Sequence, residues 1–151
     1  MPTTTSHEIR AKDTLAIVAK MPDPAANGAP TAAEADVAVA RLDAMAADLR
    51  GCVILAADGS PLAASGDPDA WGEAARDLLT AADRVAGEEV TQAHIGTEDG
   101  EAFAIRQDGY ALIAAADRFT LASLMLFDMR AVLRDLLRGP DAPTIREAGA
   151  A

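Results

Sequence analysis

The sequence predicts a single α+β domain in which a mostly antiparallel, five-stranded sheet carries helices on its faces. Three Asp-Gly pairs, at 58–59, 99–100 and 108–109, each separate short apolar runs, which is a strong hairpin signal. Segments with helical periodicity surround these runs, so the predicted order is α-β-β-α-β-β-β-α. Because the strands that are close in sequence form hairpins, the sheet is predicted to be largely antiparallel.

Length and composition limit the classes of protein and partner. A chain of 151 residues suits one core, and with 37 alanines and five aromatic residues that core must use small side chains. A net charge of −11 argues against nucleic acid and against an anionic membrane surface as partners. One cysteine and two histidines exclude an internal disulfide and offer no zinc-ligand cluster, so we expect no metal and no cofactor. No leader or spanning segment is visible, which predicts a cytoplasmic protein.

Composition also divides the chain into three zones. Residues 1–30 are predicted to be a flexible N-terminal segment, residues 31–139 the domain, and residues 140–151 a disordered tail. The apolar run Leu15–Ala19 is the exception in the first zone. It is compatible with docking onto a groove or a sheet edge, and also with a frayed segment.

The first helix and hairpin have clear start and stop signals in the sequence. Thr31-Ala-Ala-Glu34 is a capping box, and Gly51 is predicted to end the helix that follows. Cys52–Ala57 and Pro61–Ser65 are the two predicted strands. The predicted apolar helix face contains Val37, Leu42, Met45 and Leu49.

The second helix is predicted between a cap at Asp67, followed by Pro68, and a stop at Gly87. Alanines fill much of its apolar side, so another backbone can approach it closely. The apolar side contains Trp71, Ala74, Ala75, Leu78, Leu79, Ala82 and Val85.

Three further strands and a long helix complete the domain. The strands are predicted at Val90–Thr97, Ala102–Gln107 and Tyr110–Ala116. The last helix is predicted at Leu121–Arg138, with Thr120 as its cap and an apolar arc wide enough to lie on a sheet.

Order and spacing together resemble the roadblock/dynein light-chain family over about residues 34–138. The segment 49–65, LRGCVILAADGSPLAAS, is similar to the opening of that domain, and 108–116, DGYALIAAA, with the Leu-rich final helix is similar to its end. The resemblance implies a homodimer or heterodimer that binds and regulates small Ras-like GTPases or acts as an adaptor. Bacterial members of the family are among those that work with a GTPase partner.

The sequence contains no convincing catalytic constellation, and we expect no enzyme. His94 lies mid-strand without a Ser, Cys or second His at motif spacing, which indicates a strand histidine with a local partner. Ser65, Tyr110 and Asp117 are further candidates without a motif. Cys52 is interpreted as a small buried hydrophobe. The chain also lacks a P-loop and a G-x-G-x-x-G motif.

A dimer interface is predicted from the alanine-rich second helix and from Val90–Thr97, which would be an edge strand with unpaired backbone groups. In the resembled family these two elements form the dimer. Trp71 is compatible with either an interface or a core position. An alternative surface is the final helix, where Leu124 and Phe127 lie among charges. The predicted interface residues are Trp71, Ala75, Leu78, Ala82, Thr91, Ala93 and Ile95.

Two functions therefore remain. The first is a non-enzymatic, dimeric module that binds and regulates, or scaffolds, a Ras-like GTPase. The second is a small-ligand sensor of PAS- or profilin-like architecture, although no polar cluster that would line its pocket is evident. Arg76 and Arg84 are geometric candidates for an arginine finger, but neighbouring carboxylates on the helix are expected to hold them.

Overall fold

The computed structural model describes residues 29–139, and the predicted elements follow one another there in the predicted order. The predictions for residues 1–28 and 140–151, including Leu15–Ala19, lie outside the described residues. The elements are α1 (Ala32–Met45), β1 (Leu49–Leu55), β2 (Pro61–Ala64), α2 (Pro68–Ala86), β3 (Gln92–Gly96), β4 (Glu101–Gln107), β5 (Tyr110–Ala116) and α3 (Ala122–Arg138).

The five strands form one antiparallel sheet in the order β2-β1-β5-β4-β3. The hairpins β1-β2, β3-β4 and β4-β5 join neighbours in sequence, and β1 meets β5 across the chain, with Val53 opposite Ile113. The α+β class is therefore confirmed. The placement of β3 at one edge of the sheet also agrees with the prediction of an edge strand.

The sheet separates two apolar clusters. On one face, which we call the α1/α3 face, side chains such as Cys52, Phe103 and Leu112 pack against α1 and α3. On the other, the α2 face, side chains such as Val53 and Ile113 pack against α2. Strand alternation requires this division, because successive side chains point to opposite sides of a strand.

The three Asp-Gly turns are built differently. Asp108 and Gly109 both have positive φ, 52° and 86°, and they alone join the paired residues Gln107 and Tyr110. This matches the two-residue hairpin predicted from the dipeptide. In the first turn only Gly59 has positive φ, and neither Asp99 nor Gly100 has it in the second. Those two loops are longer than two residues. Their backbones can therefore reverse direction without positive φ at both Asp and Gly.

The first helix begins as predicted and ends earlier. The Glu34 amide donates to the Thr31 hydroxyl at 3.1 Å, and the Glu34 carboxylate accepts from the Thr31 amide at 3.0 Å. The helix stops at Met45, because the chain turns at 46–48 to enter β1, so Leu49 and Gly51 belong to the strand.

The predicted apolar face of α1 was partly wrong. Two of its four buried side chains are alanines, which allow close approach to the sheet, whereas Val37 is 68% exposed and Met45 is also exposed. The prediction of Thr120 as the cap of α3 was wrong as well. Leu121 occupies the cap position without a side-chain hydrogen bond, and the Thr120 hydroxyl donates to the Asp117 carbonyl at 2.6 Å.

Deletion of residues 1–28 is expected to lower the free energy of unfolding by about 1 kcal/mol or less. The start of α1 supports this expectation, since Thr31 and Glu34 satisfy its first amides without any upstream group. Urea unfolding of the full chain and of the truncated chain measures the difference. A truncated chain that fails to unfold cooperatively would show that the deleted segment belongs to the core.

Candidate interaction surface

Helix α2 buries only one part of its apolar side within the chain. Asp67 caps it by accepting from the Asp69 amide at 3.1 Å, and Gly87 ends it with φ 77°. Its buried residues, Gly72, Ala75 and Leu79, form a narrow stripe against the sheet. The apolar side chains next to this stripe are not buried against the sheet, and we call them the α2 flank. In it, Trp71, Leu78 and Ala82 are half-buried, and Ala74 and Val85 are exposed.

Edge strand β3 presents, beside this face, backbone groups that no other strand of residues 29–139 pairs. The Arg106 amide donates to the Thr91 carbonyl at 2.9 Å, and the Thr97 amide donates to the Gly100 carbonyl at 2.8 Å. Hydrogen-bonded pairs alternate along an antiparallel ladder, so positions 93 and 95 bond to β4. The backbone groups of Gln92, His94 and Gly96 therefore point away from the sheet.

The side chains of β3 alternate between the two faces of the sheet. Ala93 and Ile95 are half-buried and lie on the α2 face, because Ala93 is opposite Ala104 and packs on that cluster. His94 is opposite Phe103 on the α1/α3 face, and the two rings stack with centroids 4.5 Å apart. The edge thus offers apolar side chains on the α2 face and backbone groups along its rim.

An ion pair fixes the start of β3 to α2. The Arg106 guanidinium donates to both Asp83 carboxylate oxygens, at 2.8 and 3.0 Å, and to the Val90 carbonyl at 2.8 Å. The Asp83 carboxylate also accepts from the Val90 amide at 2.9 Å. The hydrogen bond from Arg106, with that from Val90, lowers the pKa of Asp83 to about 2. These bonds set where the edge strand lies relative to the helix.

This pair predicts a pH-dependent stability. The folded pKa of Asp83 lies below its usual 3.8, so its contribution is complete above that value and is lost as the pH falls from 3.8 toward about 2. The melting temperature of the wild type should therefore exceed that of Asp83→Asn by an amount that shrinks between about pH 5 and about pH 2. Arg106→Gln should show the same trend, and a difference that is constant with pH would contradict it.

The structure brings four of the seven predicted interface residues into one cluster. Trp71, Ala75, Leu78 and Ala93 all belong to the apolar cluster of the α2 face. Ala75 is buried against the sheet of its own chain, whereas Ala82 and Ile95 are half-buried and Thr91 is exposed.

Trp71 has a clear partner within the chain. Its indole lies on Gly51 of β1, where an added Cβ would come within 2.5 Å of the ring atom Cζ2. One side of the ring is therefore core, while the residue as a whole remains half-buried. The two alternatives for Trp71 are compatible, because a ring held on glycine still presents its other side outward.

The arginines of α2 are not held as predicted. The Arg76 guanidinium donates to the Gly59 carbonyl at 2.9 Å, across to the β1-β2 turn. Between residues 29 and 139, no ion pair joins Arg76 or Arg84 to a carboxylate of α2. Asp83 does not hold an arginine of α2 because its carboxylate is already paired with Arg106.

Most of the candidate catalytic residues have local partners within residues 29–139. His94 Nε2 lies 2.6 Å from the Glu101 carboxylate, as expected of a strand histidine with a local partner. The Ser65 hydroxyl accepts from the Cys52 amide at 2.8 Å, and Asp117 pairs with Arg50 at 2.8 Å. Burial raises the pKa of the Cys52 thiol to about 11, which makes it a poor nucleophile. Tyr110 is half-buried against the α1/α3 core.

A groove of about 340 Å³ lies between α2 and the tips of the β1-β2 and β4-β5 hairpins. Its walls include four polar side chains, contrary to the expectation that no polar cluster would line a pocket. These are Arg76, Thr80, Glu89 and Arg106. Volumes of about 300–1,000 Å³ are typical of small-ligand sites, so the groove is at the lower end of that range.

Sequence reasoning missed the Asp83–Arg106 pair. A usable signal exists, because Arg106 alternates with Phe103 and Ile105 and so belongs on the same face as α2. The sequence does not give the position of α2 on the sheet, and that position decides whether Asp83 and Arg106 can meet.

No protein-family model matches the sequence, and no curated protein matches it either. None of the helices within residues 29–139 is long and apolar enough to cross a bilayer.

The fold is that of the roadblock/LC7 domain. A roadblock/LC7 domain from Streptomyces avermitilis superposes with a TM-score of 0.57 at 22% identity, over 67% of this chain and 92% of that one. A structure of MglB in a tetrameric arrangement gives 0.57 at 12% identity, over 70% and 87%. The LokiProfilin1 chain of a complex with rabbit actin gives 0.52 at 14% identity, over 72% and 97%. The predicted roadblock- and profilin-like architecture is confirmed.

Proposed function

We propose that this protein is a non-enzymatic, dimeric interaction module that binds a small Ras-like GTPase and regulates its nucleotide cycle. The observation that carries the proposal is the pairing of the uncovered α2 flank with the open edge of β3. Both lie on one side of the molecule, so a second copy can extend the sheet and cover the flank at once. The resemblance to roadblock proteins supplies the partner class.

A two-fold contact of this kind uses the same patch on both copies. Antiparallel pairing of two β3 strands would join two five-stranded sheets, and the flanks of the two α2 helices would meet above them. Stable interfaces bury roughly 1,200–2,000 Å² in total. A structure of MglB with a tetrameric arrangement supports assembly of this fold into oligomers. Light scattering at micromolar concentration should give twice the 15.5 kDa of one chain.

The proposed regulation does not use a catalytic group from this chain. With no P-loop, the chain is not expected to hydrolyse GTP itself. Arg76 donates to the Gly59 carbonyl, and both Arg76 and Arg84 lie in a regular helix rather than on a loop that can reach a nucleotide. Regulation therefore comes from a difference in affinity for the two switch conformations of the GTPase.

Single-turnover GTP hydrolysis by a purified Ras-like GTPase from the same genome tests this mechanism. Arg76→Ala and Arg84→Ala are expected to change the stimulated rate by less than about tenfold, because an arginine finger is worth about 10³–10⁵. A loss of about 10³-fold from either substitution, with binding of the GTPase intact, would overturn the mechanism without affecting the dimer. If the dimer binds no such GTPase, the partner class is wrong.

The groove of about 340 Å³ favours a second candidate function, a small-ligand sensor. Arg76 and Arg106 on its walls would face an acidic group of the ligand, and Glu89 would limit how much negative charge fits. A small carboxylate that raises the melting temperature of the wild type, and not of Thr80→Val, would favour this function. Thr80 is the suitable probe, because it lines the groove without taking part in the Asp83–Arg106 pair.

A further inference from the structure

The exposed apolar side chains of this protein concentrate on the side opposite the proposed dimer surface. Within residues 29–139, six of the seven exposed large hydrophobic residues belong to α1, to α3 or to the segment leading into α3, and the exception, Val85, is in α2. Scattered exposed apolar residues need no explanation, whereas apolar side chains that share one depression indicate a surface for a partner. The six are Val37, Met45, Phe119, Leu121, Leu124 and Phe127.

Three of these residues surround a small cavity. Met45, Leu121 and Leu124 line a space of about 190 Å³ between the end of α1 and the start of α3, with Met125 also in its wall. This volume is below the roughly 300–1,000 Å³ of small-ligand sites. It suits a single inserted side chain whose stem contacts the apolar walls.

The same cavity contains a carboxylate that the fold itself does not use. Asp128, in α3, is only 9% exposed and lines the cavity, and Asp48 lies in the lining as well. Among residues 29–139, no hydrogen bond and no ion pair engages Asp128. Two turns further along, Asp135 accepts from Arg41 at 2.7 Å, so α3 can supply a paired carboxylate where a cation is present. The Asp128 oxygens are not among the fully buried, unpartnered side-chain atoms of residues 29–139, so the carboxylate is open to the cavity and can accept a hydrogen bond from a donor placed there.

We propose that this cavity binds an arginine or lysine side chain presented by a partner protein. The cation would contact Asp128, and the alkyl stem would lie between Leu121 and Leu124, as long basic side chains do on apolar surfaces. The chain's net charge of −11 attracts a basic partner surface. The exposed rim favours a protein over a free amine, since a binding pocket ringed by apolar side chains is typical of an interface anchor. The site is distinct from the α2 flank and β3, so it goes beyond the proposed function.

Methionine-methyl NMR of the full chain tests the proposal with defined probes. The probe is the peptide acetyl-Ala-Leu-Arg-Leu-Ala-amide, compared with versions that carry lysine or citrulline in place of arginine, and with free n-butylguanidinium. Met45 and Met125 line the cavity and report binding, while the buried Met129 is the reference. We expect saturable shifts of Met45 and Met125 with the arginine or lysine peptide. Citrulline, the neutral isostere of arginine, and n-butylguanidinium, which cannot cover the rim, should bind at least about fivefold more weakly.

Two variants separate the carboxylate from general charge. Asp128→Asn should weaken the basic peptide at least about fivefold, whereas Asp43→Asn, an exposed residue of α1 outside the cavity, should leave its binding unchanged. The melting temperature of Asp128→Asn should stay the same or rise, because the carboxylate has no partner within residues 29–139 to lose. A fall of more than about 5 °C would show a structural role and overturn the proposal.

The remaining outcomes are equally decisive. Equal binding of the citrulline peptide would show an apolar cleft without charge recognition, and equal binding of n-butylguanidinium would show a site for a free amine; each overturns the proposal. Substitution of Arg10, Lys12 and Lys20 together by glutamine tests the chain's own basic residues as occupants. If this variant shifts the Met45 and Met125 resonances in the absence of any probe, the chain fills the cavity itself and no partner is needed.

Discussion

Gln92→Pro is expected to convert the proposed dimer into a monomer while leaving the fold of each chain intact. The ladder register directs the backbone amide of Gln92 away from β4, so proline removes no bond within the sheet. In the dimer the substitution occurs in both copies, and each loses a ladder bond worth about 0.5–1.5 kcal/mol and gains a ring that obstructs pairing. At 1.4 kcal/mol per factor of ten, the dimer dissociation constant should rise by roughly 100-fold or more.

Analytical ultracentrifugation over a concentration series measures this change. Gln92→Ala is the matched control and should remain dimeric, because it keeps the amide. Ile95→Pro should behave differently from both, since the amide at position 95 bonds to β4 and its loss should destabilise the chain itself. If Gln92→Pro remains a dimer, the β3 edge is not the interface, and the alternative surface at Leu124 and Phe127 would be tested next.

Phe103→Ala is expected to lower the free energy of unfolding by about 3–5 kcal/mol. Phe103 is the largest fully buried side chain, at the centre of the α1/α3 cluster, and its ring also stacks on His94. Alanine would remove these contacts and leave a cavity that the surrounding helices cannot fully close. Among the buried core residues of 29–139, Phe103 is the only aromatic one, the others being Ala, Val, Leu, Ile, Met and Cys.

Phe127→Ala is the matched control for this substitution. The Phe127 ring is 66% exposed on α3, so the same truncation should change stability by no more than about 0.5 kcal/mol. Both variants are compared by denaturant unfolding at one protein concentration, because the proposed dimerisation would make apparent stability depend on concentration. A loss of less than about 1 kcal/mol for Phe103→Ala would contradict the enclosed position of the ring in the core.

Much of the candidate surface was predictable from the sequence. Alternation and turn chemistry placed β3 at the start of a three-strand meander, and its edge position followed from the order of the hairpins. The apolar side of α2 was predicted with its cap at Asp67 and stop at Gly87. Which residues of that side are buried was not predictable, because Ala75 and Val85 both satisfy the helical pattern and only contact with the sheet distinguishes them.

The sequence by itself determined the order of the elements, the hairpins and the helix ends at Thr31, Asp67 and Gly87. These signals act within a few residues, through φ preferences and amides that must be satisfied locally. The tertiary structure alone decided that Gly51 lies in β1 beneath Trp71. It also decided that Asp83 meets Arg106 and that Asp128 lines a cavity without an engaged partner in the described residues. Each of these depends on how elements distant in sequence pack, and in an alanine-rich chain many helix faces appear equally suited to burial until that packing selects one.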